Sequence, residues 1–127
     1  MHHILVAEDS SVLRLILERT FRLAGFSVST AVDGLDAWEQ AEQNDFSLVV
    51  TDQQMPRMSG SELCERLRQS ERLSETPVIM ITAKAYELDQ QQLRDELGVV
   101  AVFVKPFSPT KVLHAAQHYL STPSPTH

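Results

Sequence analysis

Short apolar runs alternating with segments of helical spacing, five times over, predict an α/β domain: a doubly wound (βα)5 unit. Its five-stranded parallel sheet would carry helices on both faces. The prediction rests on three observations. The hydrophobic period switches between strand-like and helix-like along the whole chain. The apolar runs are nearly continuous rather than alternating, as strands covered on both faces require. The length of 127 residues, with 43% hydrophobic and 22% charged side chains, suits one domain of ordinary globular composition.

The elements follow in order. Ile4-Leu5-Val6-Ala7 reads as a buried first strand that stops at Glu8-Asp9. Ser10 is placed to cap a helix over 11–24, whose apolar positions 13, 16, 17, 21 and 24 share one face before Gly25 ends it. Residues 28–32 form a short second strand, and Asp33-Gly34 turns into a helix over about 35–43. Residues 47–51 form a third strand with Asp52 just at its end. Pro56 keeps 53–59 in a loop, and Ser59 with Glu62 makes a capping box that opens a helix over 60–72. Pro77 precedes a fourth strand over 78–82. Residues 86–97, polar apart from Leu88, Leu93 and Leu97, predict a weaker helix. The fifth strand spans 99–104, Lys105-Pro106-Phe107 closes it, and Ser108-Pro109 starts a last helix running to about 120. One domain is expected over 1–121, with residues 122–127 a flexible tail or the start of a linker, because they hold no apolar anchor.

Composition removes several functions. There are 17 acidic and 11 basic side chains, a net charge of −6, and the basic ones form no stripe for nucleic-acid phosphates. No apolar run approaches the roughly 18 residues of a membrane span, and the acidic start is no signal peptide. The single cysteine, Cys64, makes no internal disulfide or zinc site and reads as a small buried residue on the third helix. His114 and His118 lie i, i+4 on the last helix without the intervening glutamate of a metalloprotease, and read as a solvated face. Only four glycines occur, and no glycine-rich phosphate loop follows the first strand, which argues against nucleotide or flavin binding. A cytoplasmic protein without membrane insertion or direct nucleic-acid contact is the expectation.

Parallel α/β sheets place their sites at the carboxyl ends of the strands, near the switch in strand order. The residues expected there are Glu8 and Asp9 after strand one, Asp52 after strand three, Thr82 at strand four and Lys105 at strand five. Three neighbouring carboxylates repel one another, and a divalent cation resolves the repulsion. Magnesium suits one or two carboxylates with retained waters and phosphate oxygens better than calcium does, and the absence of histidine or cysteine at the strand ends disfavours zinc. A cation, the Lys105 ammonium and the Thr82 hydroxyl together describe a pocket for a phosphoryl group.

These residues resemble a known family, the response-regulator receiver domain of two-component signalling. The motifs are Glu8-Asp9, the run Thr51-Asp52-Gln53-Gln54-Met55-Pro56, Thr82-Ala83 and Lys105-Pro106-Phe107, each ending the appropriate strand. The resemblance covers residues 3 to about 120 and implies a flavodoxin-like sheet. It also implies a phosphorylation switch in which Asp52 takes a phosphoryl group from a phosphohistidine and is itself the modified residue. Asp9 and Asp52 would bind Mg²⁺ (with Mn²⁺ as an alternative), Gln54 would add its backbone carbonyl, and Glu8 would act through water. Gln53, Gln54, Thr82, Ala83 and Lys105 would surround the phosphoryl oxygens. The implied partners are a histidine kinase or histidine phosphotransfer protein and an unknown downstream target, the domain being a monomer or weak dimer. It would catalyse only its own phosphorylation and dephosphorylation. Gln54 and Lys84 would flank the path of an attacking water.

The family often has an aromatic residue three positions before the lysine, which reports the switch. Here Val102 stands there, and alternation turns Phe103 to the other face. On the first helix Val12, Leu15 and Leu23 form a second apolar line around Arg19. This line is either part of a generously buried helix or a docking patch for the phosphodonor. Two other functions compete: a phosphorylation-independent pseudo-receiver that only binds proteins, and a small α/β phosphatase, against which Gln54 stands where a second acid is needed.

Overall fold

The computed structural model describes residues 2–121. The elements are β1 (His3–Ala7), α1 (Ser11–Leu23), β2 (Ser27–Ala31), α2 (Gly34–Gln43), β3 (Leu48–Asp52) and α3 (Gly60–Gln69). They continue with β4 (Val78–Thr82), a 3₁₀ turn (Ala85–Glu87), α4 (Gln90–Asp95), β5 (Val99–Val104) and α5 (Pro109–Ser121). All neighbouring strands pair in parallel, in the order β2-β1-β3-β4-β5. The chain first builds outward from β1 to β2, then crosses back to lay β3 on the other side. The switch point therefore falls between β1 and β3, the two strands that end in acids.

Strand side chains alternate between two apolar layers, which is why the runs are apolar throughout. Leu5, Ala7, Val49, Val78 and Met80 pack with Ala37 and Ala41 of α2, Leu63, Cys64 and Leu67 of α3 and Leu93 of α4. Ile4, Val6, Leu48, Val50, Ile79 and Ile81 pack with Leu17 and Phe21 of α1 and Val112 and Ala116 of α5. Val102 joins the first layer and Phe103 the second, so the only aromatic of β5 faces α1 and α5, as alternation requires.

Four boundaries differ from expectation. The weak helix over 86–97 is two pieces, because Asp89 takes an extended backbone and its carboxylate accepts the amides of Gln91 and Gln92, starting α4 afresh. The third helix ends at Gln69 rather than 72. There the chain turns to bury Leu73, and the Arg68 guanidinium holds the turn through the carbonyls of Ser74 and Thr76. The second and third strands each lie one residue from the expected span, which brings Asp52 inside β3 rather than after it. On α1 only Leu17 and Phe21 are buried, while Ile16 and Ala24, expected on the core face, are exposed. The proposed tail over 122–127 lies outside the described residues. Among the described residues no helix is long and apolar enough to cross a membrane.

Candidate functional site

Four strand ends converge on the acidic rim. Asp52 is the last residue of β3, paired in register with Ile81 of β4, and is 2% exposed. Its position depends on Gly60: a Cβ there would lie 2.4 Å from the Asp52 carbonyl oxygen, so only glycine lets α3 start against the end of β3. Glu8 follows β1 and is equally buried, with Oε2 accepting the Ser10 amide at 2.9 Å. Asp9 beside it is exposed. One carboxylate oxygen from each of Glu8, Asp9 and Asp52 lies within 4.8 Å of the others.

Lys105, just past β5, reaches across the sheet to these acids. Its Nζ donates to Asp52 Oδ2 at 2.8 Å and lies 3.2 Å from Glu8 Oε1. Burial alone would lower the lysine's pKa; the hydrogen bond and charge of Asp52, with the charge of Glu8, outweigh it and raise the value. Glu8 moves the other way from an ordinary acid. Burial, reinforced by the Asp52 charge and opposed by the Ser10 amide, pushes its carboxyl from 4.5 to about 7. One lysine therefore does not compensate the rim. Asp52 Oδ1 is buried with no partner and Glu8 Oε1 has only the shared Lys105 ammonium, an arrangement that is expensive unless a further cation fills it. The donors are all oxygen and two of the three acids are buried, which fits Mg²⁺ or Mn²⁺ and leaves no soft ligand for zinc.

Thr82 ends β4, fully buried. Its hydroxyl donates to Gln54 Oε1 at 3.2 Å and accepts the Lys84 amide at 3.0 Å, while its carbonyl accepts the Lys105 amide at 2.9 Å. Ala83 follows directly and is exposed at the mouth. Lys84 turns its ammonium toward Glu87, 3.8 Å away within the same loop.

Glu8, Asp9, Asp52 and Lys105 thus share one site, with Thr82 linked to it through the Lys105 backbone. Gln53 is engaged elsewhere. Its amide donates to the Ile81 carbonyl, its own carbonyl accepts the Gly60 amide, and its Oε1 accepts both the amide and hydroxyl of Ser61, so it anchors α3. Sequence reasoning missed Arg14, whose Nη1 donates to the Glu8 carbonyl at 2.8 Å and the Asp9 carbonyl at 3.4 Å, holding the turn that presents both acids. A cation in the first turns of a helix that starts one residue after an acidic pair was the available signal. Cys64 is fully buried, and burial pushes its thiol up to about 12, so it takes no part.

Beside the site, Leu13 and Ile16 of α1 face Lys105, Pro106, Phe107 and Pro109 across an apolar groove of about 460 Å³. The second apolar line of α1 is exposed, Val12 by 65%, Leu15 by 52% and Leu23 by 87%, which removes the reading of a generously buried helix.

Residues 4–117 match the model of the response regulator receiver domain. The chain is 34% identical to chemotaxis protein CheY1 of Helicobacter pylori over 121 residues, covering 94% of this chain and 97% of that protein. It is 38% identical over 109 residues to the alkaline phosphatase synthesis transcriptional regulatory protein PhoP of Bacillus subtilis, covering 86% of this chain and 44% of that protein. It therefore spans less than half of that regulator but nearly all of the chemotaxis protein. Among solved structures, the receiver domain of a Pseudomonas aeruginosa sensor histidine kinase superposes with a TM-score of 0.84 at 25% identity, covering 95% of this chain and 98% of that one. That domain has a magnesium ion coordinated in its active-site cleft.

Proposed function

From the premise that the chain belongs to the response regulator receiver domain family, we propose that it is a phosphoacceptor, with Asp52 taking a phosphoryl group from a phosphohistidine in a Mg²⁺-dependent reaction. The observation that supports this best is the three-carboxylate cluster itself, in which one lysine serves both Glu8 and Asp52 and the buried Asp52 Oδ1 has no partner. A fold alone would not assemble such a cluster, because it destabilises the metal-free protein.

Asp9 and Asp52 would hold the cation directly, with the Gln54 carbonyl, and Glu8 through water. A bound Mg²⁺ would supply positive charge against the acids and the phosphoryl oxygens. The chain's own residues do the rest. A carboxylate oxygen of Asp52 forms the new O–P bond as the P–N bond breaks, and the electron pair leaves with the imidazole, which takes a proton from solvent. Lys105, already 2.8 Å from Asp52, pairs with a phosphoryl oxygen. The Thr82 hydroxyl and the Ala83 amide take up the others. Drawing Thr82 inward transmits the change to the surface around β4 and β5. With Val102 at the usual aromatic position, the readout there is a movement of backbone and Thr82 rather than of a ring.

The phosphodonor would be a histidine kinase or a histidine phosphotransfer protein, docking on the exposed apolar line of α1 and the groove beside Lys105. The test is incubation with acetyl phosphate or phosphoramidate and Mg²⁺, followed by detection of an alkali-labile phosphoryl adduct. An adduct that Asp52→Asn abolishes is expected. No adduct would leave a pseudo-receiver that only binds proteins, and continuous hydrolysis over many turnovers would indicate a phosphatase.

A further inference from the structure

Thr82 is fully buried, and its hydroxyl has one proton to donate. That proton goes to Gln54 Oε1, 3.2 Å away, while the Lys84 amide fixes Thr82 Oγ1 from the other side at 3.0 Å. Asp52 receives nothing from Thr82: its Oδ2 accepts Lys105 and its Oδ1 has no partner. A hydroxyl held by Gln54 cannot at the same moment donate to an oxygen on Asp52, so the two arrangements are alternatives.

We propose that the Gln54 side chain is a latch that holds Thr82 in its resting position, so that residue 54 sets how readily the domain takes up its phosphorylated arrangement. This deepens the phosphoacceptor reading and rests on it. Gln54 acts through Thr82 and is a positioning residue. Its backbone carbonyl, the proposed metal contact, is a separate group that a side-chain substitution leaves in place. The latch is weak because Gln54 is exposed and water competes for its side-chain oxygen. A net hydrogen bond of ordinary strength changes the balance between the two Thr82 positions by roughly 2- to 12-fold. Methionine has similar length and no comparable acceptor, so Gln54→Met releases the hydroxyl. Glutamate keeps an oxygen in reach, so Gln54→Glu preserves the resting Thr82.

Beryllofluoride, a non-hydrolysable mimic of the acyl phosphate, makes the test. It is titrated at saturating Mg²⁺ into wild type and Gln54→Met, with Mg²⁺ alone titrated as a control. The Thr82 χ1 rotamer is read by NMR couplings in the metal-free wild type, Gln54→Met and Gln54→Glu. The expected result is beryllofluoride binding roughly 2- to 12-fold tighter in Gln54→Met. The gain exceeds any change in its Mg²⁺ affinity, a second Thr82 rotamer appears, and Gln54→Glu keeps the wild-type rotamer. Unchanged beryllofluoride affinity with a single wild-type rotamer in Gln54→Met would overturn the latch, as would a Mg²⁺ affinity that changes in parallel. If wild type binds no beryllofluoride, the phosphoacceptor reading fails instead, and the rotamers of the metal-free proteins still decide the latch.

Discussion

Glu8 shows how single residues set the properties of this site. Its carboxyl, raised from 4.5 to about 7, binds a proton in the folded protein that the unfolded chain has already lost. A raised folded-state value contributes stability in full below pH 4.5, and that contribution disappears as pH rises through 7. The metal-free protein should therefore lose stability between pH 5 and pH 8, and Glu8→Gln should remove most of that loss, leaving a melting temperature higher than wild type at pH 8 by about a few degrees. Mg²⁺ displaces the same proton, so its affinity should rise over the same interval; calorimetry in buffers of different ionisation enthalpy would detect the released proton. Glu8, Asp9, Asp52, Thr82 and Lys105 were legible in the sequence because each closes a strand of one parallel sheet, and such sheets align those ends. Arg14 and the side chain of Gln54 were not, because their partners are a backbone turn and a hydroxyl on another loop, neither of which leaves a pattern along the chain.

Whole elements are placed by contacts that are equally local in space and distant in sequence. Asp33 caps α2 through the Asp36 amide at 2.8 Å, and its other oxygen accepts Arg57 Nε at 2.7 Å. Burial alone would raise its pKa; the Arg57 guanidinium and the Asp36 amide outweigh that and hold the carboxyl below its ordinary range. Arg57 itself has a φ of 68°, so this ion pair secures a turn in the left-handed region between β3 and α3. The capping box of Ser59 and Glu62, visible in the sequence, then starts α3. Gly60 completes the placement, and its substitution is the sharpest test of it. In Gly60→Ala the new methyl would meet the Asp52 carbonyl at 2.4 Å, forcing α3 away from β3. The expected outcome is a loss of about 1–3 kcal/mol in urea unfolding together with weaker Mg²⁺ binding, because the displaced carbonyl belongs to Asp52 of the acidic cluster. The weak helix expected over 86–97 is broken for a related reason: Asp89 caps more strongly than it propagates.

Across the whole molecule, charge and apolar surface are unevenly distributed. Glu8, Asp9 and Asp52 account for three of the 17 acids, and with Lys105 among them the rim carries two of the six net negative charges. The apolar line of α1 starts at Val12, three residues after Asp9, and Leu13 and Ile16 of the same helix line the groove at Pro106 and Phe107. Leu15→Asp should slow transfer from a phosphohistidine protein while leaving labelling by acetyl phosphate unchanged, because the docking proposed on α1 concerns only a protein donor. Unfolding free energy should stay within about 0.5 kcal/mol of wild type, as for an exposed position. Equal slowing with both donors, or a matching fall in stability, would return Leu15 to a structural role.

Periodicity by itself determined the five strands, the parallel sheet and the identity of the acidic rim. Strand spacing and the placement of chemistry at strand ends are encoded locally, residue by residue. Only the tertiary structure decided that α1 leaves its second apolar line uncovered, that Gln53 bonds the start of α3, and that the Gln54 side chain accepts the Thr82 hydroxyl. Each of these depends on which loop lies against which, and that is set by the crossover of the sheet between β1 and β3. The Glu8 carboxyl illustrates the division: its position in the chain identifies it as an acid at a strand end, while its burial against Asp52 makes it one that prefers a proton or a cation.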